Sequence, residues 1–148
     1  MEGCTYIAHL AHPIPGYHHI SASDMFNIAE KGTKSILSIA HQMKIKRMAI
    51  TLSYVSVCGD LWKEEIGDDF YSEKDFAPLE KTKDPYSRSK VVQEVHIREY
   101  LNANPNGVEI VTLHPGFVIG PTLISSRNST VEGVAKFLRA DFPGLPEL

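Results

Sequence analysis

Tyr86 and Lys90 carry the first chemistry legible in this chain. Four positions apart, they share one helix face, a turn from each other, wherever the segment around them is helical. An ammonium fixed beside a phenol favours the phenolate, which predicts a Tyr86 pKa below the usual value of about 10. A tyrosine so tuned exchanges a proton near neutral pH. Ser53 adds a hydroxyl at the end of an apolar, β-branched run, where open parallel sheets gather ligands. His9, His12, His18 and His19 raise the question of a metal. Zinc sites need three or four ligands at consistent spacing, with thiolates or carboxylates at hand, and no such pattern stands here. His9 and His12 would also point to opposite faces of a continuous strand. A histidine-rich loop after a strand is the reading, and no metal is expected.

These side chains need elements to hold them. Thr5 to Ala11 is a short apolar run closed by Pro13, Pro15 and Gly16, a strand that starts almost at once. Ser23 or Asp24 is placed to cap a helix running to about Lys44. Its core stripe is Met25, Ile28, Ala29, Gly32, Ile36, Ile39, Ala40 and Met43. Gly32 costs about 1 kcal/mol against alanine in mid-helix and so suggests close packing. Arg47 to Val57 predicts a second strand, covered by helices on both faces, with Ser53 at its C-terminal end. Gly59 to Lys83 is charged and irregular, a surface loop whose Trp62, Phe70, Tyr71 and Phe76 pack back on the body.

Asp84 as N-cap and Pro85 at the first helical position open a second long helix, to about Asn104. Val91, Val92, Val95 and Leu101 are its apolar contacts. Val108 to Leu113 is a third strand, broken by His114-Pro115-Gly116, and Val131 to Ala140 a third helix. Alternation of this kind predicts an α/β fold with a parallel sheet built of βαβ units, in a single domain over residues 1–148.

Bulk properties narrow the function. The 148 residues suffice for one domain with a core. A hydrophobic content of 43%, a charged content of 22% and a net charge of −3 are those of a soluble globular protein with no nucleic-acid footprint. No apolar run is long enough to cross a bilayer, and the first residues lack the basic and apolar regions of a signal peptide. Cys4 and Cys58 form no C-x-x-C pair, so a reducing, cytoplasmic setting is expected. Asn128-Ser129-Thr130 spells a glycosylation sequon, without a secretory signal to give it meaning.

Several blocks now stand in an order that resembles the extended short-chain dehydrogenase/reductases, within the NAD-dependent epimerase/dehydratase superfamily. The likeness is greatest to the dihydroflavonol 4-reductase-like branch, which includes cinnamoyl-CoA reductases. His9-Leu10-Ala11-His12-Pro13 resembles H-x-A-(S/T)-P. Lys31-Gly32-Thr33 resembles the V-x-G-T helix, and Arg47 to Val57 the R-V-V-x-T-S-S strand with Ser53 at the second serine. Tyr86 to Lys90 is the Y-x-x-S-K box, followed by Glu94. His114 to Pro121 resembles N-P-G-x-V-x-G-P. The blocks span nearly the whole chain, as a central part of such a protein.

The resemblance implies a partial Rossmann-like parallel sheet with flanking helices and an NADP(H)- or NAD(H)-dependent oxidoreductase acting on a small carbonyl or alcohol. Tyr86 would be its general acid or base, Lys90 would hold the nicotinamide ribose hydroxyls, and Ser53 would orient the substrate oxygen. Ala11, His12, Thr51, Pro115, Gly116 and Val118 would line the cofactor with Tyr86 and Lys90. The family's G-x-x-G-x-x-G turn, which seats the pyrophosphate on a helix N-terminus, is nowhere in the sequence, and neither is a C-terminal substrate domain. Cofactor affinity is therefore expected to be reduced. His12, Leu52 and His114 replace the usual Ser or Thr, Ser and Asn. A non-catalytic binding module and a superfamily epimerase or dehydratase are the alternatives. No nucleic-acid or membrane partner is expected; an exposed sheet edge and apolar face favour self-association.

Overall fold

The computed structural model describes residues 2–14, 20–60, 71–121 and 129–139. Trp62, Phe70, Asp68-Asp69, His18, His19, Asn128 and the tail after Arg139 lie outside them. The chain divides into two compact units, Met1–Pro115 and Gly116–Leu148.

The first unit runs β1 (Tyr6–His9), α1 (Ala22–Gln42), β2 (Arg47–Thr51), α2 (Val55–Cys58), α3 (Pro85–Ala103) and β3 (Glu109–Leu113). The strands form one parallel sheet in the order β1-β2-β3. Register places Ile7, Met48 and Ile110 in one row and Ala8, Ala49 and Val111 in the next. Alternate rows face opposite sides, so the first row enters the core and the second does not. The core joins Leu37 and Ala40 of α1 to Met48 and Ile50 of β2 and Ile97 of α3, with Ile7 and Ile110 against it. Both long helices thus cover the same face of the sheet.

This differs from the expectation that helices flank β2 on both faces. On the other face Tyr6, Val111 and Leu113 are exposed, and Arg47 pairs with Glu109 at 2.6 Å along its edge. The apolar, weakly alternating sequence of β2 was compatible with either arrangement, because Ala49 is small enough to sit half-buried.

Helix α1 begins two residues before the expected caps. Ser21 is its N-cap, accepting from the Asp24 N–H at 3.1 Å and donating to the Asp24 carboxylate at 2.7 Å. Its buried stripe is Met25, Ala29, Thr33, Leu37 and Ala40. Ile28, Ile39 and Met43 are exposed, and Gly32 has no atom within 4 Å of where a Cβ would sit, so no close packing explains it. Thr33 takes the place in the core that periodicity gave to isoleucines, because Gln93 Nε2 of α3 donates to its hydroxyl at 3.1 Å.

Helix α3 starts as its sequence dictates. The Asp84 carboxylate accepts from the Ser87 N–H at 2.8 Å and from its hydroxyl at 2.9 Å, with Pro85 in the first turn. Ser87, Ser89, Lys90, Val91, Val92, Gln93, Glu94 and Ile97 are all buried, so α3 is enclosed on more than one side. Leu101 is exposed.

The second strand is shorter than expected. It ends at Thr51, and Val55–Cys58 turns into helix. Ser53 therefore stands in the loop between β2 and α2 rather than at a strand end. Leu52 N–H still donates to the Leu113 carbonyl, and then the Ser53 carbonyl accepts from Ser56 N–H, which starts the helical turn. Of the aromatics expected to pack back, Tyr71 and Phe76 are largely exposed, Phe76 lying 4.3 Å beneath the Arg98 guanidinium. The second unit contains α4 (Ser129–Leu138), on which Phe137 and Leu138 are exposed.

A candidate dehydrogenase-type active site

The carboxyl end of β2, the loop after β1 and the first turns of α3 converge. Ser53, on the loop leaving β2, is buried, and its side chain lies close enough to the Tyr86 phenol to favour its charged form. Tyr86 and Lys90 lie on one face of α3, the Lys90 ammonium 5.9 Å from the phenol ring centroid. Lys90 is buried and donates to the Thr51 carbonyl at 3.3 Å. The His12 ring meets the Tyr86 ring edge-on at 5.8 Å, and His12 Nε2 and Ser89 Oγ share a hydrogen bond of 3.0 Å. Thus Ser53, Thr51, Tyr86, Lys90 and His12, drawn from three separate segments, form one cluster.

Burial dominates its electrostatics. It pushes the Tyr86 phenol above its ordinary value; the Ser53 side chain opposes this, and Tyr54 and Asp84 add to it. That reverses the expectation drawn from the spacing of Tyr86 and Lys90. The ammonium is nearly 6 Å from the ring centroid and shares the same poorly solvated site, which costs both charged forms. Lys90 itself is lowered to about 8 by burial. Burial and then Lys90 lower His9; burial, then Lys90, then His9 lower His12 to about 3. His9 and His12, expected on opposite faces, thus feel the same lysine, because β1 ends at His9 and the chain turns before His12.

Spacing could not reveal what holds Ser53. Ser56 Oγ donates to the Ser53 carbonyl at 2.7 Å, and His114 Nδ1 lies 2.9 Å from Ser56 Oγ and 3.3 Å from the same carbonyl. His114 Nε2 meets Thr112 Oγ1 at 3.0 Å. Tyr54 N–H donates to the Pro115 carbonyl at 3.1 Å. The end of β3 therefore clamps the Ser53 loop. His114 was visible in the sequence only as a substitution for asparagine; its partners are some sixty residues away. Pro115 belongs to this clamp, while Ala11 is exposed beside His12. Gly116 and Val118 begin the second unit, and both are exposed.

A cavity of about 860 Å³ adjoins the cluster, lined among others by Tyr54, Cys58, Ser87, Arg98, Thr112 and His114. None of Ser53, Tyr86, Lys90 and His12 lines it, so the clustered side chains rather than this cavity mark the chemistry.

A parallel βαβ sheet carrying a half-buried tyrosine, a buried lysine four positions on and a serine in the loop after the adjacent strand defines a class, and the NAD dependent epimerase/dehydratase family model matches residues 1–141. The chain belongs to that family. Cinnamoyl-CoA reductase 1 of Arabidopsis thaliana is 30% identical over 141 residues, 93% of this chain and 39% of the relative. Vestitone reductase from alfalfa (Medicago sativa L.) superposes with a TM-score of 0.67 at 24% identity, over 91% of this chain and 41% of that one. Yeast methylglyoxal/isovaleraldehyde reductase Gre2, complexed with NADPH, gives 0.67 at 24% identity, over 81% and 38%. The chain spans about two fifths of the length of these relatives.

Proposed function

We propose that this chain carries the proton-transfer half of an NADP(H)-dependent oxidoreductase that reduces an aldehyde, ketone or dihydroflavonol-like carbonyl in the cytoplasm. The observation that carries this reading is the convergence of buried Ser53 and buried Lys90 on the Tyr86 phenol, with Lys90 on the same helix face. Similarity to cinnamoyl-CoA reductases supports a carbonyl substrate, and the NADPH in the Gre2 complex supports the cofactor.

Bound here, a nicotinamide cofactor supplies hydride, and the chain's own residues manage the proton. Ser53 donates to the substrate oxygen and aligns it with Tyr86. The Tyr86 phenol, held protonated by burial, delivers its proton to that oxygen as negative charge develops on it. Lys90 is a desolvated cation whose donors suit ribose hydroxyls, and the buried His12 Nδ1, which no donor among the described residues meets, also fits a hydroxyl-bearing cofactor. Ala11, Thr51 and Pro115 line the remainder.

No G-x-x-G-x-x-G turn lies within the 148 residues, so pyrophosphate affinity is low and NADPH titrated against the single tryptophan, Trp62, should not saturate in the micromolar range. At millimolar NADPH, a panel of aldehydes and ketones should show its oxidation. Micromolar saturation overturns the weak-binding claim. No turnover with NADPH or NADH on any carbonyl favours the second reading, a non-catalytic binding module, to which the missing glycine turn also points. The exposed face carrying Tyr6, Val111 and Leu113 supports association of copies along the sheet edge. Sedimentation velocity should show a dimer or larger species; a lone 16.5 kDa species at high concentration contradicts it.

A further inference from the structure

His12 holds a hydrogen-bonding position that no described residue fills. Its Nδ1 is buried and meets no donor among the described residues, a state that is costly wherever it persists. Proton accounting shows what this nitrogen is. Ser89 Oγ has a single proton and donates it to the Tyr86 carbonyl at 2.6 Å. Toward His12 Nε2, 3.0 Å away, the same oxygen can then only accept, so Nε2 carries the imidazole proton. With the ring neutral, as its lowering to about 3 requires, Nδ1 is a bare lone pair.

The surroundings select the donor that can answer it. A cationic donor is disfavoured, because Lys90 already acts on this ring as a positive charge. An anion brings no proton and faces a lone pair. Neutral donors remain, and among them a hydroxyl both accepts and donates: it can take a hydrogen bond from the Lys90 ammonium and give its own proton to Nδ1. Residues 10–14 belong to no helix or strand, so the ring can adjust to a ligand without breaking a ladder bond.

We propose that the His12 side chain is a specificity-determining residue of this site, its Nδ1 accepting a ribose hydroxyl of the ligand that Tyr86 and Lys90 hold. The proposal rests on the reading of the cluster as a nicotinamide-cofactor site, but goes beyond it in assigning a tautomer, an atom and a donor.

The test is NMR of the whole chain with ¹⁵N-labelled histidine, the His12 resonances assigned from His12→Phe. Without ligand and at neutral pH, His12 should show a protonated Nε2 and an unprotonated Nδ1; a protonated Nδ1 overturns the proposal. Reduced nicotinamide mononucleotide, which has the ribose but no pyrophosphate, should then shift Nδ1 on saturation. N-benzyl-1,4-dihydronicotinamide, the same ring without ribose, should not. His12→Phe should bind the mononucleotide about two- to tenfold more weakly, and His12→Asn, with an acceptor in place of Nδ1, should recover most of that loss. Mononucleotide binding that leaves Nδ1 unmoved, or equal shifts from both probes, sinks the proposal alone. A wild-type chain that binds neither probe at millimolar concentration takes the cofactor-site reading down with it.

Discussion

Tyr86→Phe is expected to lower kcat/KM for NADPH-dependent carbonyl reduction by about 10²- to 10⁴-fold, the range of a positioned general acid. The substitution keeps the aromatic ring, its edge-on contact with His12 and its place in the first turn of α3, and removes only the hydroxyl. Because kcat/KM is measured below saturation, weak cofactor binding does not mask the ratio. Thermal unfolding of the variant should match the parent closely, separating lost chemistry from lost fold. The pH profile carries a second mark. Burial raises the Tyr86 pKa, so the acid stays protonated through neutrality and the reduction rate should fall only in alkali, as pH climbs through that raised value. Full activity in the Phe variant means that another group supplies the proton and that the reductase reading of this site is wrong.

Lys90→Met is expected to stabilise the fold at pH 7 by about 1–3 kcal/mol while abolishing the site's function. The reasoning is linkage. The Lys90 pKa falls from 10.5 to about 8 on burial, so the folded chain binds its proton less tightly than the unfolded chain. Below pH 8 the folded state therefore bears the whole cost of a buried ammonium, about 3 kcal/mol for a displacement of this size. Between pH 8 and 10.5 the cost is relieved and stability rises. Methionine matches the length of lysine and carries no charge; losing the bond to the Thr51 carbonyl subtracts part of the gain. Urea unfolding at pH 7 and pH 10 reads both effects. The variant should be the more stable at pH 7, and the parent's rise in stability across the alkaline window should shrink. A less stable variant, or an unchanged slope, would show that Lys90 is solvated in the folded chain. Retaining so costly a cation makes sense only where its charge is used.

Much of the fold was legible because its signals are local. Asp84 followed by Pro85 starts α3 where the sequence says, and Asn104-Pro105-Asn106-Gly107 stops it. The strand–helix alternation gave a parallel sheet, while the order β1-β2-β3 came only from the tertiary structure. The errors share one cause. The buried stripe of α1 includes Thr33 and omits Ile28 and Ile39, because a hydrogen bond from Gln93, sixty residues away, makes a threonine acceptable inside. The end of β2 was misplaced because Ser53 is claimed by Ser56 and by the extension of β3, neither of which composition reveals.

The candidate site divides along the same line. By itself the sequence determined that a tyrosine and a lysine share a helix face, that a serine follows an apolar strand, and that no glycine-rich phosphate turn accompanies them. Those are statements about residue type and spacing, which helix and strand geometry convert directly into proximity. Only the tertiary structure decided that His12 turns its ring to Tyr86 and Ser89, that His114 clamps the Ser53 loop, and that burial drives the Tyr86 and Lys90 pKa values away from their charged forms. The physical reason is that desolvation and hydrogen-bond partnership depend on what else occupies the surrounding volume. That volume is filled by α1, α3 and the end of β3, segments between which chain order sets no distance.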